Sequence, residues 1–307
     1  MIMRDRFATV TSELLDNDPR VSLVLADISA DRFAESQHQH PDRVINVGIR
    51  EQALIGTAAG MAHSGLRPYA HSYAPFLVER PFEQLKLDLG HQDLGAVLVS
   101  IGASYDASDV GYTHHAPGDI ALLDTLPEWT VHVPGHPDEV EAFLRAASQT
   151  DERVYVRLSE NANATAHHRP DGGFQVLRQG TGPTVVAVGP MLDRVLAATA
   201  GLDVTVLYAS TVRPFDGETL RFVLAEPAVV LVEPYLRGTS APEVARALTD
   251  IPHRQLALGV PPHTARFYGR PRDHDAAYGL DVAGIRARIT AFSPTDDHER
   301  YATHVTG

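Results

Sequence analysis

The 307-residue sequence has no cysteine, which excludes disulfides, a thiolate nucleophile and cysteine-based zinc or iron–sulfur sites. Its 26 basic residues are outnumbered by 39 acidic ones, so the net charge of −13 would repel a polyanion such as DNA or RNA. No apolar run approaches the roughly 18 residues of a membrane span, and the N-terminal residues lack the apolar segment of a signal peptide. Because hydrophobic residues still make up 44% of the chain, we expect a folded cytoplasmic protein that binds neither nucleic acid nor a membrane.

Short apolar runs alternate with helical patterns along the first half of the chain. A continuous apolar run such as residues 21–26 is typical of a strand that is buried on both faces of a parallel sheet. Stretches such as 50–64 and 137–149 have the apolar spacing of helices. The alternation predicts an α/β fold in which helices cover both faces of a parallel sheet. The other predicted strands are 44–47, 68–72, 96–101, 131–133 and 154–158, and the other predicted helices are 3–16, 81–91 and 117–126.

A second and smaller α/β series follows the first. A polar, glycine-rich stretch at 166–182 separates the two and has the composition of a linker. We therefore expect two doubly wound domains with mainly parallel sheets, at 1–165 and 183–292, and a polar tail at 293–307. In the second series the predicted strands are 184–188, 204–209, 228–232 and 255–260, and the predicted helices are 191–200, 216–225 and 240–249.

Two segments of the first series carry candidate functional residues where strands end, which is the edge at which open parallel sheets bind ligands. Glu51 follows a strand and a turn at Gly48, and it stands where a helix begins and the helix dipole favours a carboxylate. On the local pattern alone, a solvated side chain is the simpler interpretation of Glu51. Tyr73 and Phe76 follow the next strand and could stack on a flat heterocycle, although as isolated residues they are more typical of plain core.

Two further candidates lie at the same predicted edge. The segment after the strand at 96–101 carries Asp109 and the doublet His114-His115, and a histidine near a carboxylate can orient hydroxyls or move protons. A metal site is a weaker interpretation, because adjacent histidines seldom point to one ion. Arg157 ends an apolar strand, where it either grips a phosphate or carboxylate or makes a structural ion pair.

In their order and spacing these segments resemble the transketolase family, and the resemblance covers nearly all of residues 5–292. Residues 27–133 resemble the family's pyrimidine-binding domain, which uses thiamine diphosphate, and the second series resembles its C-terminal domain. The stretches that carry the resemblance are VGIREQ at 47–52, AAGMAHSGLRP at 58–68, FLVERPFEQ at 76–84, GYTH at 111–114, LP at 126–127, VLVE at 230–233 and GLD at 279–281.

The resemblance implies a thiamine diphosphate site in the first domain. Glu51 matches a glutamate that hydrogen-bonds N1′ of the cofactor's aminopyrimidine ring, a catalytic role that needs a carboxyl group kept partly neutral by burial. Phe76 matches the aromatic residue that stacks on this ring, and Tyr73 matches a second aromatic of the pocket. Ile49, within the motif that carries Glu51, is also expected to bind the cofactor.

The resemblance also implies substrate-binding residues. His114 matches a catalytic histidine that contacts substrate hydroxyls, and Arg157 resembles an arginine that holds the substrate's phosphate. Many transketolases have an aspartate four residues before that histidine. Here Val110 occupies this position, so Asp109 is the substrate-binding candidate.

The sequence has no Gly-Asp-Gly motif, which in the family belongs to an N-terminal domain that binds magnesium and the diphosphate. The resemblance therefore implies one subunit of a split transketolase, with no metal ligands of its own. A second subunit would hold Mg²⁺ and most of the diphosphate, most simply in an α2β2 assembly, and the isolated chain would be inactive. The implied reaction transfers a two-carbon ketol unit from a ketose donor to an aldehyde acceptor.

Two alternatives stay open at this point. The chain could be the β subunit of a 2-oxo acid dehydrogenase or part of a deoxyxylulose-phosphate-synthase-like enzyme, both of which decarboxylate an α-keto acid. It could also be a scaffolding or regulatory subunit, although the retention of Glu51 and Phe76 argues against a non-catalytic role. Asp31 stands near the position of a phosphate-binding serine of the family, which puts the usual sugar phosphate substrates in doubt.

Overall fold

The computed structural model of the chain describes residues 2–167, 169, 171–263 and 265–293. Its strands are β1 (Val21–Leu25), β2 (Val44–Asn46), β3 (Arg67–Tyr73), β4 (Val97–Ile101), β5 (Trp129–His132), β6 (Arg153–Arg157), β7 (Gln175–Arg178), β8 (Thr184–Val188), β9 (Thr205–Ala209), β10 (Thr211–Arg213), β11 (Ala228–Leu236) and β12 (Arg254–Val260). Its α-helices are α1 (Met3–Asn17), α2 (Ala34–Gln39), α3 (Glu51–His63), α4 (Phe82–Gln84), α5 (Asp119–Leu123), α6 (Pro137–Ser148), α7 (Leu192–Ala198), α8 (Gly217–Val223), α9 (Ala241–Ala247), α10 (Pro271–Tyr278) and α11 (Val282–Phe292).

The strands form two sheets, as expected of a two-part α/β fold. The first sheet has the order β10-β5-β6-β4-β3-β1-β2, and the second has the order β12-β11-β8-β9-β7. All pairings are parallel except those of β10 with β5 and of β7 with β9. The prediction of mainly parallel sheets is therefore confirmed, and each sheet carries one antiparallel strand at an edge.

The apolar strands are buried on both faces, which explains why they appear in the sequence as continuous runs of apolar residues. In β1, Leu23 and Leu25 belong to one core and Val24 to the other. Helices α1 and α6 cover the first of these faces with residues such as Phe7 and Leu144. Helix α3 and the segment after β3 cover the opposite face.

Two strands differ from the sequence predictions. β7 lies inside the stretch expected to be a linker, where it pairs along the edge of the second sheet. β10 follows β9 after a single residue, Ser210, and joins the first sheet instead of the second. Both strands are short and lie at sheet edges, so they lack the long apolar run that marks a central strand. Because β10 crosses over, the two sheets are tied together through backbone hydrogen bonds.

The segment between β3 and β4 also departs from the predicted helix at 81–91. Residues Pro75–Glu79 and Leu85–His91 are π-helical, and only the short α4 lies between them. A π-helical turn is often found at functional sites. The predicted helix at 117–126 is shorter, with α5 as its α-helical part.

The described chain ends at Ser293, after α11, so residues 294–307 of the expected polar tail lie outside the described residues. In the part of the chain that is described, no helix has both the length and the apolar character needed to cross a membrane.

Candidate functional site

The candidate residues gather at the carboxyl edge of the first sheet. Glu51 begins α3 after β2, Tyr73 ends β3, and the loops after β4 and β6 supply further side chains. Parallel strands share this edge, and ligands of open α/β sheets bind there.

Glu51 is held inside the protein at the start of α3. Gly48, with φ of +71°, makes the turn between β2 and the helix, a backbone conformation that glycine adopts without strain. The Glu51 side chain is only 2% exposed, and its Oε2 accepts a hydrogen bond of 2.6 Å from Nη1 of Arg80. The interpretation of Glu51 as a solvated carboxylate is therefore wrong.

Three rings form a cluster beside this carboxylate. The ring of Phe76 lies 5.0 Å from that of His114 and 6.3 Å from that of Tyr73, and Tyr73 lies 5.5 Å from His114, all edge-to-face. Gly102 makes room for this cluster, since a Cβ atom at position 102 would lie 2.4 Å from Cδ1 of Tyr73. The structure thus brings together three residues that sequence analysis placed at separate points of the chain.

Arg80 is the residue of this site that sequence analysis missed. Its guanidinium lies 4.1 Å from the centroid of the Phe76 ring, a cation–π contact, while Nη1 donates to Glu51. The π-helical turn at Pro75–Glu79 sets Arg80 on the same side as Phe76. An arginine four residues after a candidate stacking residue was the available signal.

The cluster opens into a cleft of about 850 Å³ that both halves of the chain line. Phe76, Arg80 and His114 come from the first half, and His263 comes from the loop after β12. Glu79 also faces this cleft, and partial burial, together with the negative charge of Asp119, raises its pKa to about 7. The cleft therefore holds one carboxyl group, that of Glu79, whose pKa lies near neutral pH.

Ile49 stands two residues before Glu51 in the chain, but it is not part of the ring cluster. Its side chain is 69% exposed. Its expected role in cofactor binding stays a prediction.

Asp109 lies in a second pocket, of about 640 Å³, which His114 does not line. Tyr73 lines this pocket too, together with Asp106 and Glu160. Burial raises the pKa of Asp106 to about 7, and burial and the charge of Asp109 raise the pKa of Glu160. The pocket is acidic on this side, and substrate binding by Asp109 stays a prediction.

Arg157 is buried in an ion pair. Its side chain is 1% exposed, and its Nε donates to Oδ2 of the fully buried Asp119 over 2.7 Å. Nη2 donates to Oγ of Ser104 over 2.7 Å, and the guanidinium lies 5.7 Å from the Tyr235 ring of the second half. These contacts favour the structural ion pair that sequence analysis left open. Phosphate binding by Arg157 stays a prediction.

The two histidines of the doublet face different surroundings. His114 joins the ring cluster, whereas the ring of His115 packs edge-on against His274 of α10 at 5.3 Å. Burial, followed by the neighbouring His274 and His114, lowers the pKa of His115 to about 4. Among the described residues, no group of three or more histidine, aspartate or glutamate side chains is arranged to hold a metal ion.

Comparison with known families matches both halves of the chain. The family described as "Transketolase, pyrimidine binding domain" matches residues 1–164. The family described as "Transketolase, C-terminal domain" matches residues 172–285.

Individual relatives agree with these matches. The chain is 50% identical over 290 residues to an "Uncharacterized 33.6 kDa protein in fasciation locus" of Rhodococcoides fascians, covering 93% of each chain. It is 27% identical over 295 residues to a subunit of the apulose-4-phosphate transketolase of Phocaeicola vulgatus, covering 92% of this chain and 94% of the relative. It is 32% identical to the "1-deoxy-D-xylulose-5-phosphate synthase" of an Acidovorax species, covering 91% of this chain but only 46% of that enzyme.

A solved structure matches over nearly its full length as well. The chain superimposes on a "Split gene transketolase, inactive beta4 tetramer" with a TM-score of 0.82 and 26% sequence identity, covering 95% of this chain and 98% of that one.

Proposed function

The chain belongs to the transketolase family as a split, β-type subunit, and we propose that its cleft transfers a two-carbon ketol unit from a ketose to an aldehyde. The observation that carries this proposal is the grouping of buried Glu51 with the rings of Phe76, Tyr73 and His114 at one sheet edge. A deoxyxylulose-phosphate-synthase-like activity is not favoured, because the transketolase subunit matches end to end and the synthase only over half its length.

The residues present fit one half of thiamine diphosphate, the cofactor that the family implies. A buried carboxyl group beside a half-buried aromatic ring suits a flat ring that both stacks and hydrogen-bonds. Glu51 would hydrogen-bond N1′ of the pyrimidine ring, Phe76 would stack on the face of that ring, and Tyr73 and Ile49 would border the ring. When bound, the cofactor supplies the carbon nucleophile that forms and breaks the carbon–carbon bond.

The other half of the cofactor requires a partner subunit. No cluster of metal ligands exists in the described part of this chain, and the sequence lacks the Gly-Asp-Gly motif. We therefore propose that a second subunit holds Mg²⁺ and the diphosphate, in an α2β2 heterotetramer. Three large side chains with apolar surface are exposed in this part of the chain: Tyr112, which lines the cleft, Tyr268, which lies against Gly111, and Ile49, two residues before Glu51. They support a docking surface at this edge. The cytoplasmic location expected from the sequence stays a prediction.

His114 is the residue proposed to act on the substrate. Its ring is held between Tyr73 and Phe76, and Oγ1 of Thr113 lies 3.0 Å from its Nδ1. That contact leaves Nε2 free to hydrogen-bond a substrate hydroxyl and to hold or return its proton. Asp109 is proposed as a substrate-binding residue of the adjoining pocket. Substrate binding by Arg157 stays a prediction that the buried ion pair with Asp119 disfavours.

The test is a ketol-transfer assay on the reconstituted complex with ketose and 2-oxo acid donors side by side. Glu51→Gln keeps the shape of the side chain but cannot supply a carboxyl proton, so we expect turnover to be abolished while the circular dichroism spectrum is unchanged. Near-normal turnover of Glu51→Gln would refute the assigned role. Decarboxylation of the 2-oxo acid without ketol transfer would refute the reaction class.

A further inference from the structure

The contacts of Arg80 coincide with those that the proposed function assigns to the cofactor's pyrimidine ring. One face of Phe76 is covered by the Arg80 guanidinium at 4.1 Å. The carboxylate of Glu51 is bound by Nη1 of the same group at 2.6 Å. Phe76, the proposed stacking residue, and Glu51, the proposed hydrogen-bonding residue, are thus both in contact with the Arg80 side chain.

A guanidinium and an aminopyrimidine present similar chemistry to such a site. A guanidinium is planar, carries N–H donors in its plane, and stacks on aromatic faces. An aminopyrimidine that receives a proton at N1′ is likewise planar and offers an N–H to a carboxylate. A site built to stack one of these groups and to accept its N–H therefore accommodates the other.

Resting on the proposed function, we propose that Arg80 occupies the pyrimidine position of the cofactor site and must swing out before thiamine diphosphate can bind. Arg80 is then a positioning residue. Its departure removes Nη1 from the buried carboxyl group of Glu51 and leaves that group able to hydrogen-bond N1′ of the pyrimidine.

The fold allows this movement. The Arg80 side chain is 38% exposed and lines the open cleft, so its head group can move into solvent. Its backbone stays fixed, because its N–H donates to the carbonyl of Pro75 and its carbonyl accepts from Nε2 of Gln52. The movement breaks the ion pair with the buried Glu51 and the cation–π contact with Phe76, and the bound pyrimidine would replace both contacts.

A different arrangement would give the opposite result. If the pyrimidine stacked on the other face of Phe76, Arg80 would stay beside Glu51 and would support the bound cofactor. Removal of Arg80 would then weaken cofactor binding, whereas removal of a competing group strengthens it.

The experiment measures the affinity of thiamine diphosphate, in excess magnesium, for the reconstituted complex by titration calorimetry. We expect Arg80→Ala to bind thiamine diphosphate about five- to thirty-fold more tightly than wild type, because the variant has no guanidinium to displace from Glu51 and Phe76. Arg80→Gln, which keeps a planar amide and supports folding if Arg80→Ala does not, should lie between the two. Arg246→Ala is the matched control, because Arg246 is an exposed arginine paired with Glu243 outside the cleft, and it should leave the affinity unchanged.

A second readout uses the full chain without a partner. Saturation-transfer NMR with free 4-amino-5-hydroxymethyl-2-methylpyrimidine should give a stronger signal for Arg80→Ala than for wild type, and Phe76→Ala in the Arg80→Ala background should remove it. Equal or weaker binding by both Arg80 variants in both experiments would overturn the inference. Absence of thiamine diphosphate binding to every form of the complex would instead refute the proposed function.

Discussion

Replacement of Asp119 by asparagine tests whether Arg157 belongs to the core or to the substrate site. The carboxylate of Asp119 accepts hydrogen bonds of 2.7 Å from Nε of Arg157 and from the hydroxyl of Tyr155, and both charged side chains are buried. Asn keeps the shape of the residue but removes the charge. The guanidinium of Arg157 would then be buried without its ion-pair partner, and only the weaker attraction of Asp106 would remain.

The expected cost follows from the loss of that partner. Two unit charges about 4 Å apart interact by about 4 kcal/mol at the effective dielectric constant of about 20 that describes such sites. Breaking a buried pair by removing one partner typically costs about 3–5 kcal/mol. We therefore expect Asp119→Asn to lower the free energy of unfolding by about 3–5 kcal/mol.

The assay is urea unfolding followed by the fluorescence of Trp129, the only tryptophan, which is buried in β5. Asp93→Asn is the matched control, because Asp93 is 88% exposed and its partner Arg153 also pairs with Glu128. This control should cost less than about 1 kcal/mol.

A double variant completes the test. Arg157→Met combined with Asp119→Asn removes both charges, so its cost should be smaller than the sum of the two single costs by more than about 1 kcal/mol. If Asp119→Asn costs no more than the control and the two changes simply add, Asp119 does not neutralise Arg157, and the arginine is available to a substrate.

Three further outcomes are expected. Phe76→Ala should weaken thiamine diphosphate binding to the complex by about 1–3 kcal/mol, through loss of an aromatic contact and its buried area; unchanged affinity in calorimetry would mean that Phe76 is only core. Burial lowers the pKa of His71 to about 3, so its neutral form stabilises the fold above pH 6.5 and this contribution is lost as the pH falls. The loss from that group is about 3 kcal/mol between pH 7 and 4.5, and a His71→Gln variant whose pH–stability profile is as steep as that of wild type would contradict it. Gly102→Ala should cost about 1–3 kcal/mol in urea unfolding, because the new methyl group meets the Tyr73 ring; wild-type stability would mean that the ring moves freely.

The central strands could be predicted from the sequence because strands that are buried on both faces have continuous apolar runs. β1 and β4 are fully buried along their length, and both were visible as continuous apolar runs. β7 and β10 were missed because their sequences, QVLR and TVR, form no continuous apolar run, whereas the equally short edge strand β2 lies in the apolar stretch at 44–47 and was predicted. Their pairing is decided by tertiary contacts, β10 by its docking on β5.

The candidate site was only partly visible in the sequence. Local pattern favoured a solvated Glu51, and the family resemblance alone pointed to burial. The Arg80 contact was missed because the predicted helix began at residue 81, whereas the chain is already helical at Pro75–Glu79. Residues four apart in such a segment, as Phe76 and Arg80 are, lie on one face.

Arg157 is a second residue whose role could not be decided from the sequence. An arginine at the end of a strand fits a phosphate ligand and an ion pair equally well in sequence. The ion pair is formed with Asp119, which is 38 residues earlier in the chain and contacts Arg157 only in the folded protein.

The most direct test of the central claim is calorimetric titration of thiamine diphosphate with magnesium into the complex of this chain and a second transketolase subunit that carries the Gly-Asp-Gly motif. Each subunit alone serves as the control. We expect binding by the complex and little or no binding by either subunit alone. Tight binding by this chain alone would contradict the divided site, and no binding by a folded complex would contradict the assignment of the cleft to the cofactor.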